Sequence, residues 1–448
     1  MLVMKFGGTS VTNKASVEAI VALIHRELNR QPVLVVSALS GVTDLLVKLS
    51  EVENKQDQLL IIEQIKAKHS YWIQTIFEQQ LPHNNVFLRI DEYLNELQTT
   101  LKAQHFGNKM QRHDSIVAFG EKMSSFLLVT YLESHKINAK QVLATECIIT
   151  TADFGNADFI DEPTQEHSQK TLLPLIKANI VPVVTGFIGA TVTGETTVLG
   201  RGGSDYSAAI IGYAIGSEEI QIWTDVNGVY SADPRVINDA KLIQQLSYQE
   251  AAELAMFGAK VLHPRTIQPA VRSGIPVRVL NTFNLDNAGT LIEHASGSHD
   301  GMVKAITWRN SVPLLNIYSA EMFLSKGFLQ KIFAVMANNN ISVNMLSASE
   351  VSVSITLDNT GKLDQALTEL NEFAETNYLD GYGSISLIGE KVMAMPMLMQ
   401  EAFDLLDATA TKVEMLSYNA SNINLSMIVP SGKIAEIVPL LHKNFIIQ

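Results

Sequence analysis

Residues 2–39, LVMKFGGTSVTNKASVEAIVALIHRELNRQPVLVVSAL, decide the fold. Leu2–Phe6 is a short apolar run around one lysine, which reads as a strand buried on both faces. The run stops at Gly7-Gly8, and Val17, Ile20, Val21, Ile24 and Leu28 then recur at helical spacing. Residues 32–39 (PVLVVSAL) form a second buried strand. Strand, glycine turn, helix, strand is the opening of an α/β domain with a parallel sheet, because parallel strands need a crossover and the crossover helix covers a face.

Outward from this unit, residues 42–106 contain no glycine and one proline, Pro82, with Leu60, Ile61, Ile65, Trp72 and Ile76 before it and Ile90, Leu94, Leu97 and Leu101 after it. This predicts a helical hairpin inserted into the α/β domain. The alternation then resumes. Helices are expected over 114–133, 206–215, 249–256 and 265–272, and strands over 181–185, 220–224 and 277–280. The first domain closes near Glu293, at 1–295, and the small polar run 294–301 reads as a linker. Beyond it KIFAVM (331–336) repeats as EAFDLL (401–406), and VNMLS (343–347) as VEMLS (413–417), both at an offset of 70. Each copy reads as helix, alternating strand, turn, strand and second helix, so two α+β modules are expected at 310–388 and 389–448.

The chain has 448 residues, enough for two to three domains of about 150 each. Its one cysteine, Cys147, excludes a disulfide framework or multi-cysteine metal site and suits a reducing compartment such as the cytoplasm. Lys+Arg 33 against Asp+Glu 46 gives −13, which opposes general attraction to nucleic acid or anionic membranes, so a bound anion must meet a local positive cluster. No leader peptide or membrane span is expected. Charged residues make up 18%, below the roughly 25% usual for soluble domains, which hints at subunit contacts.

The chemistry sits in glycine loops. Lys5 ends the first strand beside Gly7-Gly8, Thr9 and Ser10, where backbone N–H groups and a helix N-terminus make an anion site. Gly200-Arg201-Gly202-Gly203-Ser204-Asp205 again places a cation in a glycine loop before a helix, although Asp205 alone would read equally as a cap. Two such loops in one domain exceed what turn-making requires. Thr224, Asp225, Tyr230 and Arg235 surround Asn227-Gly228, read as a hairpin turn, and offer groups suited to a nucleotide or ordinary surface polarity. Lys260 lies in Phe257-Gly-Ala-Lys-Val-Leu-His263-Pro264, before a helix with proline near its start. Residues 189–196 have the glycine spacing of a Walker loop, but Glu195 stands where its lysine belongs. No GxGxxG follows a strand, and HExxH, GxSxG and the HRD/DFG pair are missing. No His, Asp or Glu grouping has metal-cage spacing, so Mg²⁺ would ride on nucleotide phosphates.

At Lys5-Phe-Gly-Gly-Thr-Ser10, Phe119-Gly-Glu121, Gly200–Tyr206, Trp223-Thr-Asp-Val with Asp233-Pro-Arg235, and Phe257–Pro264 the sequence resembles the aspartokinases of the amino-acid kinase family, and the C-terminal pair resembles ferredoxin-like ACT domains. The resemblance implies ATP-dependent phosphorylation of L-aspartate to 4-phospho-L-aspartate, the entry to lysine, threonine and methionine synthesis, with MgATP as donor. It implies that Lys5, Gly7 and Gly8 hold the transferring phosphoryl group and that Asp205 orders the cations. Thr43, Glu121, Phe187, Arg201, Gly202, Gly203 and Ser204 are implied for aspartate, and Phe6, Thr224, Asp225, Tyr230, Arg235, Lys260 and Val261 for the nucleotide.

The C-terminal region looks most like the lysine-inhibited, single-function subclass. By that likeness Met322, Ser325, Phe328, Leu329, Val343, Asn344, Ser349 and Glu350 line an effector site, in a homodimer or homotetramer joined through ACT domains. Two positions depart from the pattern: Asn344 replaces the usual aspartate and Ala348 a frequent threonine. Losing a charge-assisted bond to a cationic ligand costs about 1.5–3 kcal/mol, which leaves open whether lysine, another amino acid or nothing is the effector. A kinase for glutamate or an N-acyl glutamate, and a non-catalytic amino-acid sensor, are the competing readings. The SGVT loop at 40–43 and intact Lys5, Arg201, Asp205 and Lys260 weigh against them.

Overall fold

The computed structural model describes residues 1–77, 84–103, 106–257, 264–294, 302–323, 325–418 and 422–446. The chain divides into two compact units, the first built from residues 1–229, 244–248 and the described part of 261–295. Its main sheet has eight strands in the order 139–142, 181–185, 32–36, 2–6, 219–224, 277–281, 290–293, 245–247. Leu2–Phe6 lies parallel to Pro32–Val36 on one side and to Glu219–Thr224 on the other, with Lys5 opposite Val35 and Ile222. Every residue of Leu2–Phe6 and Pro32–Val36 is buried, as expected of central parallel strands covered on both faces. The chain runs from Leu2–Phe6 outward in one direction first and in the other later. That reversal opens a crevice beyond the carboxyl ends of the strands, where α/β sheets bind ligands.

The insertion is helical, as the missing glycines indicate, with helices Val42–Glu51, Lys55–Ile76 and Asn84–Lys102. Trp72 anchors it: the ring meets Phe77 and Tyr131 edge-on, and Nε1 donates to the Val11 carbonyl at 2.7 Å. The helix expected over 114–133 is two, Lys109–Val117 and Phe119–Ser134, meeting at Ala118. The hairpin expected at Asn227-Gly228 does not form. Glu219–Thr224 is an interior parallel strand, and the Asn227 side chain instead accepts from Asn281 Nδ2 at 2.8 Å. Residues 188–198 do make a hairpin, in which the Glu195 carboxylate takes the Thr191 and Thr193 hydroxyls, a turn rather than a phosphate cradle.

The second unit holds the repeat, nested rather than sequential. Strands Leu314–Tyr318, Val343–Ala348, Ser352–Leu357 and Glu375–Leu379 with helices Phe328–Asn338 and Leu363–Leu370 form one complete module. Tyr382–Ile388, placed at sequence level in that module, pairs instead with Asn424–Pro430 and with Ala305–Arg309. The first copy therefore sits inside the second, whose outer strand comes from 305–309. The offset of 70 is written into the backbone. Gly327 and Met397 precede the first helices in left-handed conformations, and Asn340 and Ala410 follow them likewise. Residues 230–243 and 249–257, expected within the first domain, pack in this unit: Ala232 and Ile237 join its core, and Ser231 Oγ lies 2.9 Å from His442 Nε2. Residues 295–301 of the expected linker lie outside the described residues.

The nested register has a mechanical test. A Cβ at Gly383 would overlap the Arg309 carbonyl and Ile434 Cδ1. Gly383→Ala is expected to destabilise the second unit by about 1–3 kcal/mol, read as a lowered denaturation midpoint.

Candidate active site

The crevice is built from backbone approaching backbone. Lys5 emerges at the carboxyl end of Leu2–Phe6, nearly buried, with Nζ 2.6 Å from Asp205 Oδ1. Asp205 lies in the first turn of the helix Gly203–Ile215, whose cap is Gly202, so it serves as the partner of Lys5 rather than as the cap. A Cβ at Gly8 would stand 2.9 Å from the Ala38 carbonyl, and one at Gly203 would stand 2.6 Å from the Phe187 ring. Glycine at both positions lets strand ends and helix N-terminus close on one another. Phe187 takes φ +71°, a strained value for a side chain of this size. Its N–H donates to Ser207 Oγ at 2.9 Å and its carbonyl accepts from Leu199 at 2.9 Å, which together hold the ring over Gly203.

Thr43 lies half-buried in the first turn of Val42–Glu51. The loop before it is tied down through Thr12, which donates to the Gly8 carbonyl at 2.5 Å and accepts from Ser40 N–H at 3.0 Å. Glu121, in the first turn of Phe119–Ser134, is buried, with Oε1 accepting Ala38 N–H at 3.1 Å and Oε2 buried without a hydrogen-bond partner. Burial raises its pKa to about 8, against a smaller downward pull from the Ala38 bond. Arg201 and Gly202 are exposed after half-buried Gly200, and Ser204, two residues on, is buried.

Within the first unit the structure thus brings Lys5, Gly7 and Asp205 together, sets Gly8 against the Ala38 carbonyl, and places Thr224 and Asp225 at the end of Glu219–Thr224, with the Thr224 hydroxyl donating to Asp225 at 3.2 Å. Tyr230 and Arg235 belong to the second unit, where Arg235 pairs with Asp233 at 2.7 Å. Lys260, Val261 and His263 lie outside the described residues, while the helix expected after them does start at Pro264. Among the effector candidates, Phe328, Met322 and Val343 share the core of the inner module, and Ser325, Leu329, Ser349 and Glu350 are exposed. Asn344 occupies a break in register between Val343 and Met345, a bulge that frees its side chain from strand alternation.

Sequence reasoning missed Asp114, Asn156 and Arg265. Asp114 precedes Glu121 by two turns and could have been suspected as a carboxylate inside an apolar helical stretch. Asn156 and Arg265 meet only in space.

Comparison with known proteins accords with this geometry. The amino acid kinase family matches residues 1–281 and an ACT domain matches 385–445, which defines the class as an amino acid kinase carrying an ACT domain. Over 99% of its length the chain is 34% identical to lysine-sensitive aspartokinase 3 of Escherichia coli (strain K12), spanning 99% of that protein. It is 35% identical to chloroplastic aspartokinase 1 of Arabidopsis thaliana, spanning 80% of it. It is similar to the structure of E. coli aspartokinase III with aspartate and ADP, with TM-score 0.85 at 33% identity over 100% of both chains. With the lysine and aspartate complex of that enzyme the TM-score is 0.82, also at 33% identity, over 100% of this chain and 99% of the other. The chain belongs to the aspartokinase family.

Glu121 gives a stability test. Its folded pKa of about 8 exceeds the ordinary 4.5, so the folded state holds a proton the unfolded state releases, and stability is lost as pH rises between those values. Glu121→Gln should therefore melt above the parent, with the gap opening from about pH 4.5 and levelling off above about pH 8.

Proposed function

We propose that this aspartokinase carries out its transfer in the crevice around Lys5, Gly7, Gly8 and Asp205, with the close Lys5–Asp205 pair as the supporting observation. The side-chain carboxylate of L-aspartate, with pKa about 3.9, is ionised at neutral pH and needs no catalytic base. One of its oxygens attacks the γ-phosphorus of MgATP as the bond to the β-phosphate oxygen breaks, giving 4-phospho-L-aspartate and ADP. The site has to align the two oxygens and neutralise charge between them. Lys5 and the Gly7-Gly8 amides face the transferring group, while Asp205 fixes the ammonium of Lys5. Arg201 forks onto the substrate α-carboxylate with Thr43, Gly202, Gly203 and Ser204 around it, Glu121 takes the α-ammonium, and Phe187 forms a wall.

Phe6, Thr224, Asp225, Tyr230, Arg235, Lys260 and Val261 make up the proposed nucleotide set. The magnesium of MgATP stays chiefly on phosphate oxygens, because Asp205, the carboxylate nearest to Lys5, is already paired. No group of three or more His, Cys, Asp or Glu side chains suited to a metal occurs among the described residues. Feedback acts through an amino-acid site around Asn344 in a homodimer or homotetramer. Cytoplasmic location is proposed from the single cysteine, and no described helix is long and apolar enough to cross a membrane.

Incubation with ATP, Mg²⁺ and either aspartate or glutamate, followed by hydroxylamine, should trap aspartyl hydroxamate only; glutamyl product or none from folded protein overturns the reading. Lys5→Ala should lower kcat by about 100-fold or more with little change in KM for aspartate, since Lys5 acts on the moving charge. Because Glu121 must be ionised to receive an ammonium, kcat/KM for aspartate should rise with pH toward about 8, and Glu121→Gln should abolish that rise. In a lysine titration, Asn344→Asp should inhibit at lower concentration than the parent by about 10-fold or more.

A further inference from the structure

We propose that Asp114 is a positioning residue for aspartate binding, acting by clamping the loop on which the Arg201 turn rests. The inference rests on the reading that Arg201 takes the substrate α-carboxylate. Asp114 lies in the helix Lys109–Val117 and is fully buried. Its Oδ2 accepts two backbone N–H groups from segments 41 and 84 residues away: Gly155 at 2.8 Å and Val198 at 3.0 Å. Oδ1 lies 3.1 Å from His113 Nδ1. A carboxylate this deep is costly unless its oxygens are used, and here one oxygen bonds two pieces of chain far apart in sequence.

Both pieces lead to Arg201. Val198 ends the strand Thr196–Val198, and the chain continues through Leu199 into the turn Gly200-Arg201-Gly202. The Val198 carbonyl accepts Ala157 N–H at 2.9 Å, so the strand end is tied to the 155–157 loop directly as well as through Asp114. Gly200, at φ +76°, presses on that loop so closely that a Cβ would overlap Asn156 Oδ1 and lie 3.4 Å from the Gly155 carbonyl. From the other side Arg265, in the first turn of Pro264–Ser273, grips the same loop. Its guanidinium bonds Asn156, the Ala157 carbonyl at 3.2 Å and Asp158 at 2.6 Å, and lies 5.4 Å from the Tyr206 ring centre. Arg201 itself is exposed and has no hydrogen bond or ion pair with any described residue. Its placement therefore depends on its backbone, and its backbone on the loop held between Asp114 and Arg265. Asp114 also precedes the helix that carries Glu121, so one residue ties together the supports of the substrate's two proposed charge partners.

The test is a double-mutant cycle in the full chain with Arg201→Ala, reading kcat, KM for aspartate, KM for ATP and melting temperature. Asp114→Ala should raise KM for aspartate by about 10- to 100-fold, with Asp114→Asn intermediate, because a displacement of about 1 Å at a binding cation is felt that strongly. KM for ATP should stay within about twofold. On the Arg201→Ala background the Asp114 substitutions should add less than about twofold to KM for aspartate, since the group they position is gone. Arg265→Met carries the same readouts from the opposite side of the loop if Asp114→Ala does not fold. Multiplicative effects in both backgrounds, a parallel rise in KM for ATP, or an unchanged KM for aspartate in folded Asp114→Ala would each overturn the inference. Should Arg201→Ala itself leave KM for aspartate unchanged, the reading of Arg201 fails and takes the inference with it. If Arg201→Ala raises KM while the Asp114 effects stay multiplicative, the inference fails alone.

Discussion

An ammonium held 2.6 Å from a carboxylate, at the meeting of a strand end and a helix start, is the constraint on which the rest of the catalytic unit depends. A lysine at the end of a central strand has a long, free side chain, and ordering it costs up to about 2 kcal/mol of rotamer entropy. Asp205 offsets that cost by fixing the ammonium in a partly dry setting, and its place in the first turn adds a favourable interaction with the helix dipole. The pair needs the helix Gly203–Ile215 close to the sheet. That closeness explains Gly203 under Phe187 and Gly186 against Ser204 and the Val36 carbonyl. The glycine loops allow the elements to approach one another.

Glu121 follows the opposite logic within the same unit. Its carboxylate is buried with one backbone donor and one oxygen unmatched, and burial holds its proton well into the neutral range. A protein selected for stability alone would place glutamine or an apolar residue here. A buried carboxylate left incompletely matched is a cost to stability that is characteristic of functional sites. Lys5 has its charge partner within the fold, and Glu121 has only the Ala38 N–H.

How far this was legible in the sequence depends on the range of the interaction. Leu2–Phe6 and Pro32–Val36 are read from local apolar runs, and the insertion from its missing glycines, because burial on two faces and helix propensity are short-range signals. The break at Ala118 escapes notice because the apolar periodicity continues through it. The Asn227-Gly228 hairpin fails for a related reason: the turn chemistry is real, but Glu219–Thr224 already has parallel partners on both edges, so no returning strand can pair there. At the candidate site, residues on contiguous glycine loops are visible as motifs, and residues that meet only across the fold, such as Asp114, Asn156 and Arg265, are not.

Nesting of the repeat was hidden for the same reason, since strand exchange leaves both copies intact in sequence. What the copies keep and what they change now separates scaffold from specificity. Helix starts and ends recur in left-handed conformations at 327 and 397 and at 340 and 410, although only one of those four residues is glycine. The backbone path is therefore held by packing, and side chains on it are free to diverge. Position 344 is the informative case. Its counterpart in the outer module, Glu414, lies just before the corresponding strand Met415–Tyr418 and pairs with Lys412 at 3.0 Å. The outer copy thus carries a charged acid at the matching repeat position, where the inner copy carries an amide. An amide in the bulge can donate as well as accept, whereas a carboxylate can only accept. At position 344 the two copies therefore differ in side-chain chemistry while the backbone path around them is kept.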